Sequence, residues 1–117
     1  MAKYDLTISQ SESFRRLIYW TDSNNTPIPT TNYSAKMQIK IRKEKPAVLT
    51  LSSETGEIVL ADNTITLNLS SEQTTLLDYK EYIYDLFLTH TDGTVVKLLY
   101  GIISTIPAIT DLVVDTE

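Results

Sequence analysis

The sequence predicts an all-β protein, an antiparallel β-sandwich with one short helix; a small closed β-barrel is the alternative the pattern allows. Three observations lead there. Apolar residues recur with period two in most of the chain, clearest in "SAKMQIKIRK". Turn chemistry separates these runs at short, regular intervals. Only one stretch, "SSEQTTLL", breaks the alternation.

The elements follow in order. "YDLTIS" alternates Tyr4, Leu6 and Ile8 against Asp5, Thr7 and Ser9, the mark of a half-buried strand. In "SESFRRLIYW", Phe14, Ile18 and Trp20 share one phase and Leu17 and Tyr19 the other. Arg16 falls in the Phe14 phase, so either the strand twists or the guanidinium reaches solvent at a rim. "TDSNNTPIPTTN" is rich in turn formers and carries two prolines, so it reads as an exposed connection. In the next strand Ala35, Met37, Ile39 and Ile41 face the core, while Lys36, Gln38, Lys40 and Arg42 form a cationic solvated face.

Leu49 and Leu51 share a face, as do Ile58 and Leu60, with the Gly-containing loop "SETGE" between the two runs. After a short turn at residues 61–63, Ile65, Leu67 and Leu69 alternate with Thr64, Thr66 and Asn68. Ser70 or Ser71 then caps a helix expected at roughly residues 71–77; Ser70 with Gln73 fits the capping-box spacing, and Glu72 suits the positive end of the helix dipole. This helix would cross between the two sheets, with Leu76 and Leu77 closing onto the core.

The longest hairpin is "YIYDLFLTHTDGTVVKLLYGII". Tyr82, Tyr84, Leu86 and Leu88 form one face, and Ile83, Asp85 and Phe87 the other. Asp92 and Gly93 signal a tight turn because glycine tolerates positive φ. The return strand, residues 95–106, is nearly continuously apolar, which predicts cover on both faces or a subunit contact. Pro107 ends it. One β-sandwich domain is expected at residues 1–107, followed by a C-terminal tail at 108–117.

Composition narrows the functional classes. Of 117 residues, 42% are hydrophobic and 21% charged, ordinary for a globular domain and unlike a disordered chain. "MAKYDLTISQ" has no long apolar run, so no signal peptide is expected, and no stretch is long and apolar enough for a transmembrane helix. Without cysteine there are no disulfides and no thiolate metal sites. The net charge is −5 but uneven: residues 1–45 carry +4 and residues 46–117 carry −9. Such asymmetry can favour head-to-tail contacts between copies or with a neighbour, but the preferred reading is a solvated surface whose charges mix once strands distant in sequence become neighbours.

Residue chemistry argues against catalysis. His90 is the single histidine and falls at the hairpin loop, where a polar residue is expected anyway. Glu57, Asp62 and Asp92 sit in turns; paired carboxylates serve glycoside hydrolysis or calcium binding, yet turns are where such residues belong. The glycines Gly56, Gly93 and Gly101 are too dispersed for a phosphate loop. The basic run at residues 40–45 lacks interleaved aromatics in an acidic protein, so no nucleic-acid partner is expected. Asn32 and Asn68 each begin a glycosylation sequon, read as chance. Seven tyrosines and one tryptophan read mainly as core and sheet-face packing, with a sugar-binding surface as the alternative.

"YDLTISQSESFRRLIYWTDSNNTPIPTTNYSAKMQIK", with the later Tyr-Ile-Tyr-Asp-Leu strand, Asp-Gly turn and Gly-containing return strand, resembles a group of small phage virion structural proteins. The resemblance spans about Tyr4 to Pro107. Two places depart from the group: Ser11 and Ser13 stand where a Gly-Ala type spacer is common, and "TTNY" stands where Leu-Thr-Gly-Tyr is common. The resemblance implies an Ig-like β-sandwich and a non-enzymatic structural component of the virion, in its tail, baseplate or neck. It implies other phage virion proteins as partners, a homo-oligomer in the particle, no cofactor and no membrane. A carbohydrate- or cell-surface-binding β-sandwich module is the alternative. In the tail, Ile109, Leu112, Val113 and Val114 are apolar where a solvated segment would be polar. They are therefore expected either to dock on a partner or to fold back on their own domain.

Overall fold

The computed structural model describes residues 2–110 and contains nine strands and one helix. The strands are β1 (Ala2–Lys3), β2 (Leu6–Ser9), β3 (Phe14–Tyr19), β4 (Tyr33–Lys40), β5 (Leu49–Ser52), β6 (Ile58–Ala61), β7 (Thr64–Leu69), β8 (Glu81–His90) and β9 (Val95–Ile106); helix α1 (Ser71–Thr75) lies between β7 and β8. They build two sheets with no shared strand, a sandwich and not a closed barrel. The larger runs β1-β9-β8-β4-β5, with β2 also on β9; the smaller runs β3-β7-β6.

Period two decides what each sheet buries. Leu6 and Ile8, then Ala35, Met37 and Ile39, then Leu49 and Leu51, are all buried. From the opposing sheet come Ile58, Ile65, Leu67 and Leu69, and the hairpin adds Tyr82, Tyr84, Leu86, Leu88, Leu99 and Ile103. Phe14, Ile18 and Trp20 pack against this cluster at its side. Arg16, in the same phase, stays at the rim: its guanidinium lies 5.4 Å from the Phe14 ring and donates to the Tyr4 hydroxyl at 2.8 Å.

A bulge accounts for part of the apolar run of β9. Leu86 pairs with Leu99 and Leu88 with Val96, so a bulge inserts one residue into β9 between these pairs. The bulge reverses the inward phase, placing Val96 before it and Leu99 after it on the core side. Residues of both phases therefore reach inward, with Leu99 and Ile103 in the core, Leu98 packed against it and Val96 half-buried, while Val95 and Tyr100 remain exposed.

Helix α1 does cross from the small sheet to the large one, but it is shorter than expected. Ser70 is the N-cap, and its reciprocal bonds with Gln73 complete a capping box. Leu76 is the C-cap and is 56% exposed, because the helix has already ended; Leu77 alone reaches the core. The buried Thr74 hydroxyl donates to the Glu12 carbonyl, and Gln10 Nε2 donates to the Thr75 carbonyl, so the helix is pinned to the β2–β3 turn.

Strand order and corner chemistry make this an Ig-like β-sandwich. The small sheet β3-β7-β6 corresponds to the B-E-D strands of that fold. The run β9-β8-β4-β5 corresponds to G-F-C-C′, and the N-terminal strands lie parallel to β9. At the start of β8 the Tyr82 hydroxyl accepts from the Tyr79 backbone N–H at 2.9 Å and faces Asp78 Oδ1 at 3.4 Å, a tyrosine corner. Two residues on, where antibody domains place a disulfide cysteine, stands Tyr84.

Candidate functional site

The residues singled out in sequence fall in separate places. His90 ends β8; its ring meets Tyr33 edge-on at 4.8 Å and its Nδ1 lies 3.2 Å from Asp92 Oδ1. Asp92 also accepts the Thr94 N–H at 2.8 Å, the main reason its carboxyl is held below the usual range, so this pair builds the hairpin turn. Glu57 precedes β6 and accepts from the Thr55 hydroxyl and the Ser52 N–H, which lower its pKa. Asp62 lies beyond the other end of β6, its carbonyl taken by Thr30. Among the described residues no group of three or more His, Cys, Asp or Glu side chains could hold a metal ion. No helix among them is long and apolar enough to cross a membrane.

Of the tail residues, Ile109 is fully exposed, just beyond the point where the Ala108 N–H donates to Gln10 Oε1 at 3.2 Å. Leu112, Val113 and Val114 lie outside the described residues.

The tyrosines divide. Tyr82 and Tyr84 are core, and Tyr4 and Tyr33 are half-buried. The exposed three are on different surfaces: Tyr19 on the small sheet, Tyr79 in the α1–β8 connection and Tyr100 on the large sheet.

What the fold does assemble is the outer face of the large sheet. Backbone register sets it out in rows. One row is Lys40, Ile83 and Ile102; the next is Thr50, Gln38, Asp85, Tyr100 and Lys3; a third is Ser52, Lys36, Phe87 and Lys97. Ile83 and Tyr100 on this face are more than a third exposed. Two adjoining clefts of about 270 and 500 Å³ open here, with Lys43, Ile83 and Asp85 in the walls of both.

Cations outnumber acids on this face, where the exposed Glu81 joins Asp85 in the outward phase of β8. Lys97 Nζ is 3.5 Å from Asp85 Oδ2 and lies over the Phe87 ring at 5.6 Å, so the central carboxylate is already answered. Asp5 at the edge accepts the Ile102 N–H at 3.0 Å. No ion pair among the described residues engages Lys3, Lys36, Lys40 or Lys43. The alternation had marked the Lys36 and Lys40 side as a solvated cationic face and the Ile83 and Phe87 side as the outer face of the hairpin. Their union into one surface with Lys3 and Tyr100 needed the strand order.

Fold and surface together define a class: an Ig-like β-sandwich presenting a cationic, partly apolar sheet face. No protein-family model matches the chain, and no curated protein does. Among solved structures, murine CRIg is similar over 89% of this chain and 92% of its own, at 13% identity and a TM-score of 0.38. A structure of Drosophila OTK extracellular domains 3–5 is similar over 87% of this chain, at 13% identity and a TM-score of 0.39; the chain spans 33% of that structure.

Proposed function

We propose that this chain is a non-enzymatic assembly module, a structural component of a phage virion that packs against other proteins in the tail, baseplate or neck. The observation that carries the assembly reading is the outer face of the large sheet. Partly exposed Ile83, Phe87 and Tyr100 stand there beside Lys3, Lys36, Lys40 and Lys43, which no ion pair among the described residues engages. Apolar residues inside a polar rim are the make-up of a protein interface.

The virion assignment is supported by the whole-chain sequence resemblance. The two departures from that pattern also favour it. Ser11 has φ 68° and Asn32 has φ 66°, the left-handed region glycine prefers, so both turns keep the geometry a glycine would allow. The carbohydrate-binding alternative lacks a shared platform, since the exposed tyrosines lie on three surfaces.

Mass spectrometry of density-purified particles tests the proposal. The chain is expected in fixed stoichiometry with other virion proteins, and a glycan array probed with the purified chain should stay blank. Absence from particles, or saturable binding to one glycan class, would replace this reading.

A further inference from the structure

We propose that the outer face of the large sheet receives residues 111–117 of a second copy, so that copies join head to tail. The inference rests on the assembly reading and names its partner.

Charge and apolar content match. The face offers Lys3, Lys40 and Lys43 around Ile83 and Phe87, with Asp85 neutralised by Lys97. The segment reads Asp-Leu-Val-Val-Asp-Thr-Glu, three carboxylates around three apolar residues. Its Leu112, Val113 and Val114 would cover the Ile83 and Phe87 side chains. Asp111, Asp115 and Glu117 would meet lysines that have no ionic partner among the described residues. The face-bearing Lys3, Lys40 and Lys43 come from the +4 part of the chain and the segment from the −9 part, so successive copies attract in one orientation.

Geometry favours a second copy over the same chain. Ile106 lies opposite Ser9, and Ala108 is bonded to Gln10, so the chain leaves the sandwich beyond the end of β2. From Ile106 the level of Ile102 and Ile83 is four residue rises back, about 13 Å, but the level of Lys97 and Phe87 is eight, about 26 Å, whereas the six residues from Ala108 to Val114 span at most about 20 Å. A segment folding back on its own sheet could reach Ile83 but would not bring Val114 to Phe87. A neighbour's face has no such limit. Contacts of this heterologous kind propagate into rings or filaments.

The test is charge reversal read by sedimentation equilibrium of the full chain at low and at high salt. The unaltered chain should self-associate, more weakly as salt rises. Lys40→Glu with Lys43→Glu, and separately Asp111→Lys with Asp115→Lys, should each weaken association about tenfold or more. The chain carrying all four changes should regain it, because attraction returns with signs exchanged. Circular dichroism and melting check that each variant folds, and Lys3→Glu carries the same expectation should the lysine pair not fold. A chain monomeric at every concentration overturns the proposal, as would docking within one copy. So would association indifferent to either reversal, or no recovery in the fourfold variant. None of these results touches whether the chain is found in particles, which is read separately.

Discussion

The phenolic hydroxyl of Tyr84 donates to the backbone carbonyl of Tyr4, joining the centre of the large sheet to its N-terminal edge. That bond alters the ladder around it. In a regular parallel pair the Ile102 N–H would go to the Tyr4 carbonyl. Here it goes to Asp5 Oδ1 at 3.0 Å, while the Tyr4 N–H keeps its place on the Tyr100 carbonyl at 2.8 Å. The register does not slip: Ala2 faces Leu99, Lys3 faces Tyr100 and Leu6 faces Ile103 at one constant offset. β1 and β2 are thus one strand whose middle is bonded by side chains.

Gly101 makes that arrangement possible. A Cβ there would lie 2.5 Å from the Tyr4 carbonyl oxygen and 2.8 Å from Asp5 Oδ1. Backbone cannot yield as a flexible side chain does, so Gly101→Ala must push the N-terminal edge away from β9. The expected loss is about 1–3 kcal/mol, read as a lower urea midpoint. A midpoint equal to the parent's would mean the edge strand is not held at this distance in solution.

Alkaline pH should expose the same bond. Burial pushes the Tyr84 phenol far above its ordinary value of 10.0; Tyr4 and Asp5 add to the rise and Arg16 opposes it. Burial also raises Tyr82. The unfolded chain would ionise both near pH 10, before the folded one does, so above that pH it binds fewer protons and is favoured. Their stabilising contribution is whole below about pH 10 and is lost as pH rises toward the folded values. The melting temperature should fall steeply above about pH 10, with the last phenolate absorbance appearing only on unfolding. Tyr84→Phe should flatten that fall, at a cost near neutrality of about 1–3 kcal/mol for the carbonyl left without its donor. All tyrosines ionising together in a folded protein would contradict the argument.

The Asp92-Gly93 turn separates backbone strain from crowding. Gly93 has φ 95°, and nothing lies within 4 Å of where its Cβ would be. Any penalty therefore comes from the dihedral alone. Gly93→Val should cost roughly 1–3 kcal/mol, and Gly93→Asn clearly less, because asparagine tolerates positive φ. Thermal melts of the pair decide it; equal losses would point to a clash that the open space does not contain.

Ser70→Ala removes the side-chain half of the box that starts α1. The Gln73 N–H loses its acceptor, while the backbone N–H of residue 70 can still donate to Gln73 Oε1. The expected loss is about 1 kcal/mol. Ser70→Asp should recover most of it, since a carboxylate accepts the same bond at the positive end of the dipole. If alanine and aspartate behave alike in denaturant titrations, the helix start is set by the Thr74 and Gln10 tethers instead.

Local features were legible because they need only neighbours in the chain. The alternation of Ala35, Met37 and Ile39, the box of Ser70 and Gln73, and the Asp92-Gly93 turn each lie within a few residues, and each is where the pattern put it. The tyrosine corner was equally local, with Asp78, Tyr79 and Tyr82 in five residues, but a tyrosine at a strand start reads as one more core residue until its hydroxyl is given a partner. Strand order was not legible. Every backbone offers the same donors and acceptors, so only packing could bring β1 and β2 onto β9 in parallel. The bulge in β9 hid the phase of the last strand by turning residues of both phases inward. For the same reason the halves of the cationic face were visible separately, as Lys36 and Lys40 on β4 and Ile83 and Phe87 on β8. Their union with Lys3 and Tyr100 was decided by tertiary pairing: alternation assigns a residue to a side of its own strand, and only hydrogen bonding between strands makes those sides one surface.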